Sequence, residues 1–100
     1  MKLKDLFRDI DVLDFHADPE LDVTGISYDS RTTAPGELFA AIPGLSADGH
    51  RFIPTAAARG AAAVLCERAP EGELPYVRVA SARQALALAS ANWFGRPAEK

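Results

Sequence analysis

Apolar positions in the first ten residues follow the spacing of one helical face. Leu3, Leu6, Phe7 and Ile10 stand at i, i+3, i+4 and i+7, while Lys2, Lys4, Asp5, Arg8 and Asp9 fall largely elsewhere. This spacing predicts a surface helix. Asp18, Pro19 and Glu20 make a loop, with His16 in its solvated approach. Residues 21–28 then read as extended, interrupted at Gly25 by a bulge or a point of close backbone approach. After a Pro35-Gly36 turn, residues 37–42 form a short, nearly continuous apolar run, as expected of a central strand covered on both faces. The period turns helical over residues 50–59. Pro54 suits a first turn, where its missing N–H costs little; alanines follow, and Gly60 lies where a left-handed residue closes a helix. Residues 61–67 are a second buried strand, so strand, helix and strand predict a right-handed βαβ unit. Residues 70–75 are a loop and residues 76–80 alternate as a further strand. Ser81 with Gln84 forms a capping box that starts a long helix ending near Gly95 and Pro97. The fold class expected is α/β: a small three-layer domain with a central, partly parallel, mixed sheet flanked by helices.

One hundred residues suffice for one core and not for two, which predicts a single domain. A net charge of −3 lacks the basic stripe that binding nucleic acid through counterion release requires, so the expected ligand is small. No apolar run reaches the roughly 18 residues of a membrane span. The N-terminal helix is broken by acids, unlike a signal peptide, and a cytoplasmic location is expected. The one cysteine, Cys66, rules out an internal disulfide, gives no metal-ligand spacing, and reads as a small buried hydrophobe.

No nucleophile with a base, paired carboxylates or metal cluster is apparent, and neither a G-x-x-x-x-G-K-[ST] loop nor a G-x-G-x-x-G fingerprint occurs. The chain reads as a binder. Its chemistry concentrates in residues 26–53, ISYDSRTTAPGELFAAIPGLSADGHRFI, where two strand ends and a helix start meet. Ser27, Ser30 and Arg31 follow the first strand there and face Leu45, Ser46, Ala47, Asp48, Gly49 and His50 after the second. Hydroxyls and unpaired backbone groups in that place suit a nucleotide. Plainer readings stand beside this one. Asp29-Ser30-Arg31 alone is an Asx turn, in which Arg31 either braces the turn or touches a diphosphate. Asp48-Gly49-His50 is a helix-entry turn, in which Asp48 or His50 caps N–H groups or His50 meets a ligand. Trp93 and Phe94 read as core or domain-contact residues before a base-stacking platform.

The combined pattern resembles a known family. Asp29-Ser30-Arg31, Gly36-Glu37-Leu38-Phe39, Ala41, Gly44, Asp48-Gly49-His50 and Phe52-Ile53 resemble the N-terminal domain of the Mur ligases of peptidoglycan synthesis. The alanine-rich stretch from Ala56 to Cys66 also resembles the family's helix and following strand, and the segment from Ala82 to Pro97, ending Asn92-Trp93-Phe94-Gly95-Arg96-Pro97, resembles the MurE branch more than its sister MurF. The resemblance covers nearly the whole chain. It implies a single UDP-substrate-binding domain, inactive alone, with the ATP-binding central domain and the C-terminal domain outside these residues. The substrate implied is UDP-MurNAc-L-Ala-D-Glu, to which the full ligase adds meso-diaminopimelate or L-lysine. Carried over by position, its contacts fall on Tyr28, Ser30, Leu45, Ser46 and Ala47, with Arg31, Asp48 and His50 as supporting residues. Ser30 is the family's usual residue; Tyr28, Leu45 and Ser46 stand at positions that vary, where backbone contacts survive the change. No catalytic residue or metal ligand is implied here, and ATP with magnesium would belong to the full-length enzyme. The alternatives are a MurF N-terminal domain, from a ligase adding D-Ala-D-Ala, or a non-catalytic interaction domain sharing the fold.

Overall fold

Alternation of side chains along two buried strands organises the molecule. In the computed structural model, which describes residues 1–42, 49–70 and 74–94, Leu38 and Ala40 of β3 (Glu37–Ala40) point to one side of a sheet. Phe39 and Ala41 point to the other. The neighbouring β4 (Ala63–Cys66) repeats the pattern, with Ala63 and Leu65 on the first side and Val64 and Cys66 on the second. A strand with apolar residues on both faces needs a cover on both. On the first face the cover is α1 (Leu3–Leu6) and α3 (Ala82–Phe94), which bring Leu3, Leu6, Ala82, Ala85 and Ala89. On the second it is α2 (Ile53–Ala58), which brings Ile53 and Ala56. The three layers expected from the sequence follow.

The sheet is completed by β1 (Asp14–His16), β2 (Gly25–Ser27) and β5 (Tyr76–Arg78), in the order β1-β5-β4-β3-β2. Strands β2 to β5 are parallel, and β1 pairs antiparallel with β5 at the edge. The βαβ unit is therefore β3-α2-β4. The central strand, however, is β4 and not β3. Leu38 to Ala40 of β3 and all of β4 are buried, and a continuous apolar run marks an interior strand without ranking interior positions.

Four further expectations are corrected. Residues 21–23 do not extend β2: Leu3 N–H donates to the Leu21 carbonyl and Val23 N–H to that of Met1, each at 2.8 Å, so this stretch pairs with the N-terminus, while Thr24 N–H donates to the Gly36 carbonyl at 2.9 Å. Gly25 opens β2 instead of interrupting a longer strand, and the β2–β3 register runs in step without a bulge. The close approach read from this glycine is real but comes from a side chain, since a Cβ there would lie 2.7 Å from Glu37 Oε2. The N-terminal helix ends at Leu6, and the turn that follows it includes Asp9 at a left-handed φ of 65°; Ile10 still packs against the core beyond that turn. His16 lies in β1, stacked on Tyr76 at 4.9 Å, while the Tyr76 hydroxyl donates to Asp14 Oδ2 at 3.1 Å. Three residues are too few for their alternation to register in the sequence.

Local capping matches the sequence more closely. Gln84 N–H donates to Ser81 Oγ at 3.3 Å, and Ala82 N–H is held at 2.8 Å by the Glu67 carboxylate, a cap from another element that no local motif announces. The Asn92 amide reaches across to the Leu6 and Arg8 carbonyls at 2.9 and 3.0 Å, satisfying the end of α1. Trp93 packs partly buried against the core, whereas Phe94 is 80% exposed; Gly95 and Pro97 lie outside the described residues. Lys2 and Lys4 both grip Glu20, and those hydrogen bonds hold its carboxyl down to about 2. Cys66 is a free, fully buried thiol, pushed up to about 11 by burial. No helix among the described residues is long and apolar enough to cross a membrane.

Gly60 closes α2 with a φ of 97°, and its carbonyl accepts the Gly36 N–H at 2.9 Å. A Cβ there would meet Pro35 at 3.1 Å in a conformation that L-residues avoid. Gly60→Ala should therefore lower stability by about 1 kcal/mol, read from the urea midpoint. An unchanged midpoint would show that this turn relaxes freely.

Candidate functional site

The turn after β2 is built almost entirely from its own polar groups. Asp29 accepts the Arg31 backbone N–H at 2.9 Å, the Asx turn expected of this tripeptide. The same carboxylate also takes the Arg31 guanidinium through two bonds, at 3.1 and 2.9 Å. Arg31 thus braces the turn, and its hydrogen bonds hold the Asp29 carboxyl below the usual range. The Asp29 carbonyl accepts Thr32 N–H and the Thr33 hydroxyl. Thr33, fully buried, shares a 2.8 Å hydrogen bond with the buried Ser27 hydroxyl, which ties the end of the turn to the end of the strand. From the far end of α2, Arg59 Nε donates to the Thr33 carbonyl at 3.0 Å.

This bracing decides what the turn presents. Tyr28 is 75% exposed and Ser30 only 5%. Both line a cleft of about 550 Å³ at the C-terminal ends of β2 and β3, walled otherwise by Asp29, Arg31, Phe39, Ile42, Phe52 and Thr55. A smaller cleft of about 380 Å³ shares Tyr28 and Asp29 and reaches Ser27, Thr32 and Glu37. In contrast to Ser27 and Thr33, the Ser30 hydroxyl makes no hydrogen bond to a described residue, although Ser30 is nearly buried. A hydroxyl that faces a cleft with its bonding capacity unspent is available to a ligand.

The structure thus brings together Tyr28, Ser30 and Arg31 of the residues singled out in the sequence. Leu45, Ser46, Ala47 and Asp48 lie outside the described residues. His50 falls in a single turn of 3₁₀ helix (Gly49–Phe52) that leads into α2. Sequence reasoning missed the apolar side of the cleft: Phe39, Ile42 and Phe52 were read as strand, core or motif residues. Among the described residues, no three His, Cys, Asp or Glu side chains converge as metal ligands.

A sequence profile described as "Mur ligase family, catalytic domain" matches residues 22–94. The chain belongs to the Mur ligase family. A relative from Chlorobium phaeobacteroides, named UDP-N-acetylmuramoyl-L-alanyl-D-glutamate--2,6-diaminopimelate ligase, is 54% identical over 95% of this chain and 20% of its own length. A protein of the same name from Bacteroides fragilis is 36% identical over the whole of this chain and 21% of its own length. The chain therefore spans about a fifth of the length of the curated relatives it matches. Among solved structures, MurF from Acinetobacter baumannii superposes with a TM-score of 0.65 at 31% identity, over 70% of this chain and 16% of that one. MurF from Thermotoga maritima in complex with ADP gives 0.63 at 30% identity, over 71% and 17%. The mixed α/β sheet seen here is thus shared with Mur ligases, and the family resemblance read from the Asp-Ser-Arg and Asp-Gly-His motifs is correct.

Proposed function

We propose that this chain is the uridine-nucleotide-binding N-terminal module of the ligase that adds the third amino acid to UDP-MurNAc-L-Ala-D-Glu. The names of the relatives favour 2,6-diaminopimelate as that amino acid. The observation that carries the reading is the nearly buried Ser30 hydroxyl, unspent and facing a cleft walled by Tyr28, Phe39, Ile42 and Phe52. Aromatic and aliphatic walls suit a base and ribose, and a fixed hydroxyl supplies orientation. Leu45, Ser46 and Ala47 complete the contacts in this reading, with Asp48 and His50 supporting them. Arg31 supports the site through the turn it braces.

The role is positional. Holding the remote UDP end of a long substrate directs binding energy into orienting the distant dipeptide carboxylate, which the rest of the ligase activates. ATP and magnesium belong to those further domains, in the cytoplasm, and no described residue is assigned to either. The described residues hold no acid–base pair for the chemistry, so the module should be inactive by itself. A MurF reading has the solved neighbours in its favour, but 31% identity over 70% of the chain is weaker support than 54% over 95%.

An amide NMR titration with UDP-MurNAc-L-Ala-D-Glu, UDP and ATP tests the assignment. Shifts at residues 28–31 and 44–48 for the first two ligands and not for ATP are expected. Ser30→Ala should weaken UDP binding about fivefold, the equivalent of one net hydrogen bond of ~1 kcal/mol. Unchanged affinity in that variant, or no shifts at ligand concentrations of about 1 mM, the top of the usual KM range, would count against it.

A further inference from the structure

We propose that Arg51 is the cation that meets the diphosphate of a uridine nucleotide seated in the Ser30 cleft. This rests on the nucleotide reading above and supplies what that reading lacks. A diphosphate brings more than one negative charge to a chain of net charge −3, so its binding calls for a local cation. The arginine on the cleft wall is already spent, since Arg31 is held by both oxygens of Asp29 and the pair is close to neutral. Arg59 donates to the Thr33 carbonyl from the other end of α2, and Lys2 and Lys4 share Glu20 at the N-terminus.

Arg51 differs from all of these. It sits in the 3₁₀ turn between β3 and α2, and its guanidinium lies 5.8 Å from the centroid of the Phe52 ring. That ring is part of the cleft wall. Arg51 is exposed and forms no ion pair with a described residue. Resting on an aromatic face, the guanidinium gives up none of its N–H donors, and these form a fork that matches phosphate oxygens. The resulting division is simple: an aromatic and hydroxyl wall for the nucleoside, and one unspent arginine at the rim for the phosphates.

Uridine and UDP share the nucleoside and differ in the phosphates, so the ratio of their dissociation constants isolates the contribution in question. Wild type, Arg51→Gln, Arg51→Lys and Arg83→Gln should be titrated with both ligands at low salt. Arg83, on the far face of the sheet, controls for loss of one positive charge. Expected is a preference for UDP in wild type and Arg83→Gln that falls about tenfold in Arg51→Gln, with uridine affinity unchanged. Arg51→Lys should restore part of it, as a point charge without the fork. An undiminished preference in Arg51→Gln overturns the proposal while leaving the nucleotide reading intact, and assigns the phosphates to backbone amides or to Arg31. An equal fall in Arg83→Gln overturns it in favour of diffuse charge. Wild type that binds neither ligand removes the nucleotide reading, and this proposal with it.

Discussion

Leu65→Ala is expected to lower the stability of the chain by ~3 kcal/mol, the middle of the range for emptying a well-packed leucine site. Leu65 is fully buried in β4, the central strand, paired with Ala40 on one side and Val77 on the other. Its side chain belongs to the larger core, with Leu3, Leu6 and Leu38 and the alanines of α3. Those alanines carry only a methyl group, which has no torsion to swing atoms into a gap, and the leucines are held by α1 and β3. Collapse around the cavity is therefore limited, and the cost includes the void as well as the lost transfer energy. A loss of this size would lower the melting temperature by more than about 10 °C for a domain of this length. Urea denaturation followed by Trp93 fluorescence would measure it. Leu13→Ala serves as the control: Leu13 is 58% exposed, and its loss should change stability by less than ~0.5 kcal/mol. Equal effects at the two sites would mean that the packing around β4 is not as described.

The second large effect is expected at Thr33, where stability and binding meet. Thr33→Val keeps the shape and removes the hydroxyl that bonds Ser27 Oγ and the Asp29 carbonyl. Ser27 is then left with a buried, unpartnered hydroxyl, and the turn loses a link to its own strand. A cost of ~2 kcal/mol follows from stranding a buried polar group. The variant should also bind UDP more weakly, because Tyr28 and Ser30 are presented by this turn. A double variant, Ser27→Ala with Thr33→Val, should cost less than the two singles added, since removing both hydroxyls leaves none stranded. Strict additivity would show that the short Ser27–Thr33 contact contributes no coupling.

The main elements were legible wherever a local pattern had a single physical solution. The Pro54 start and Gly60 stop of α2, the Ser81 cap of α3 and the buried runs of β3 and β4 each rest on neighbours within a few residues. The candidate site was legible through its motif: the Asx turn at Asp29 follows from short-range hydrogen bonding. What failed depended on partners far along the chain. Residues 21–23 carry strand-like composition, yet Leu21 and Val23 bond Leu3 and Met1. His16 reads as a loop residue and becomes part of a strand only because β5 arrives beside it. Cover by Phe52 and Phe39 on the cleft wall could not be read either, since each belongs to a different element and the cleft exists only once they meet.

By itself, then, the sequence determined the α/β class, the βαβ unit, the family and the Asx turn at Asp29. Periodicity, turn residues and motif spacing encode those within short windows. The tertiary structure alone decided that β4 is central, that Glu67 caps α3, that Arg31 is spent on Asp29, and that Ser30 and Arg51 are left with capacity for a ligand. Whether a polar group is satisfied depends on which distant atoms reach it, and that is fixed only when the whole chain has packed.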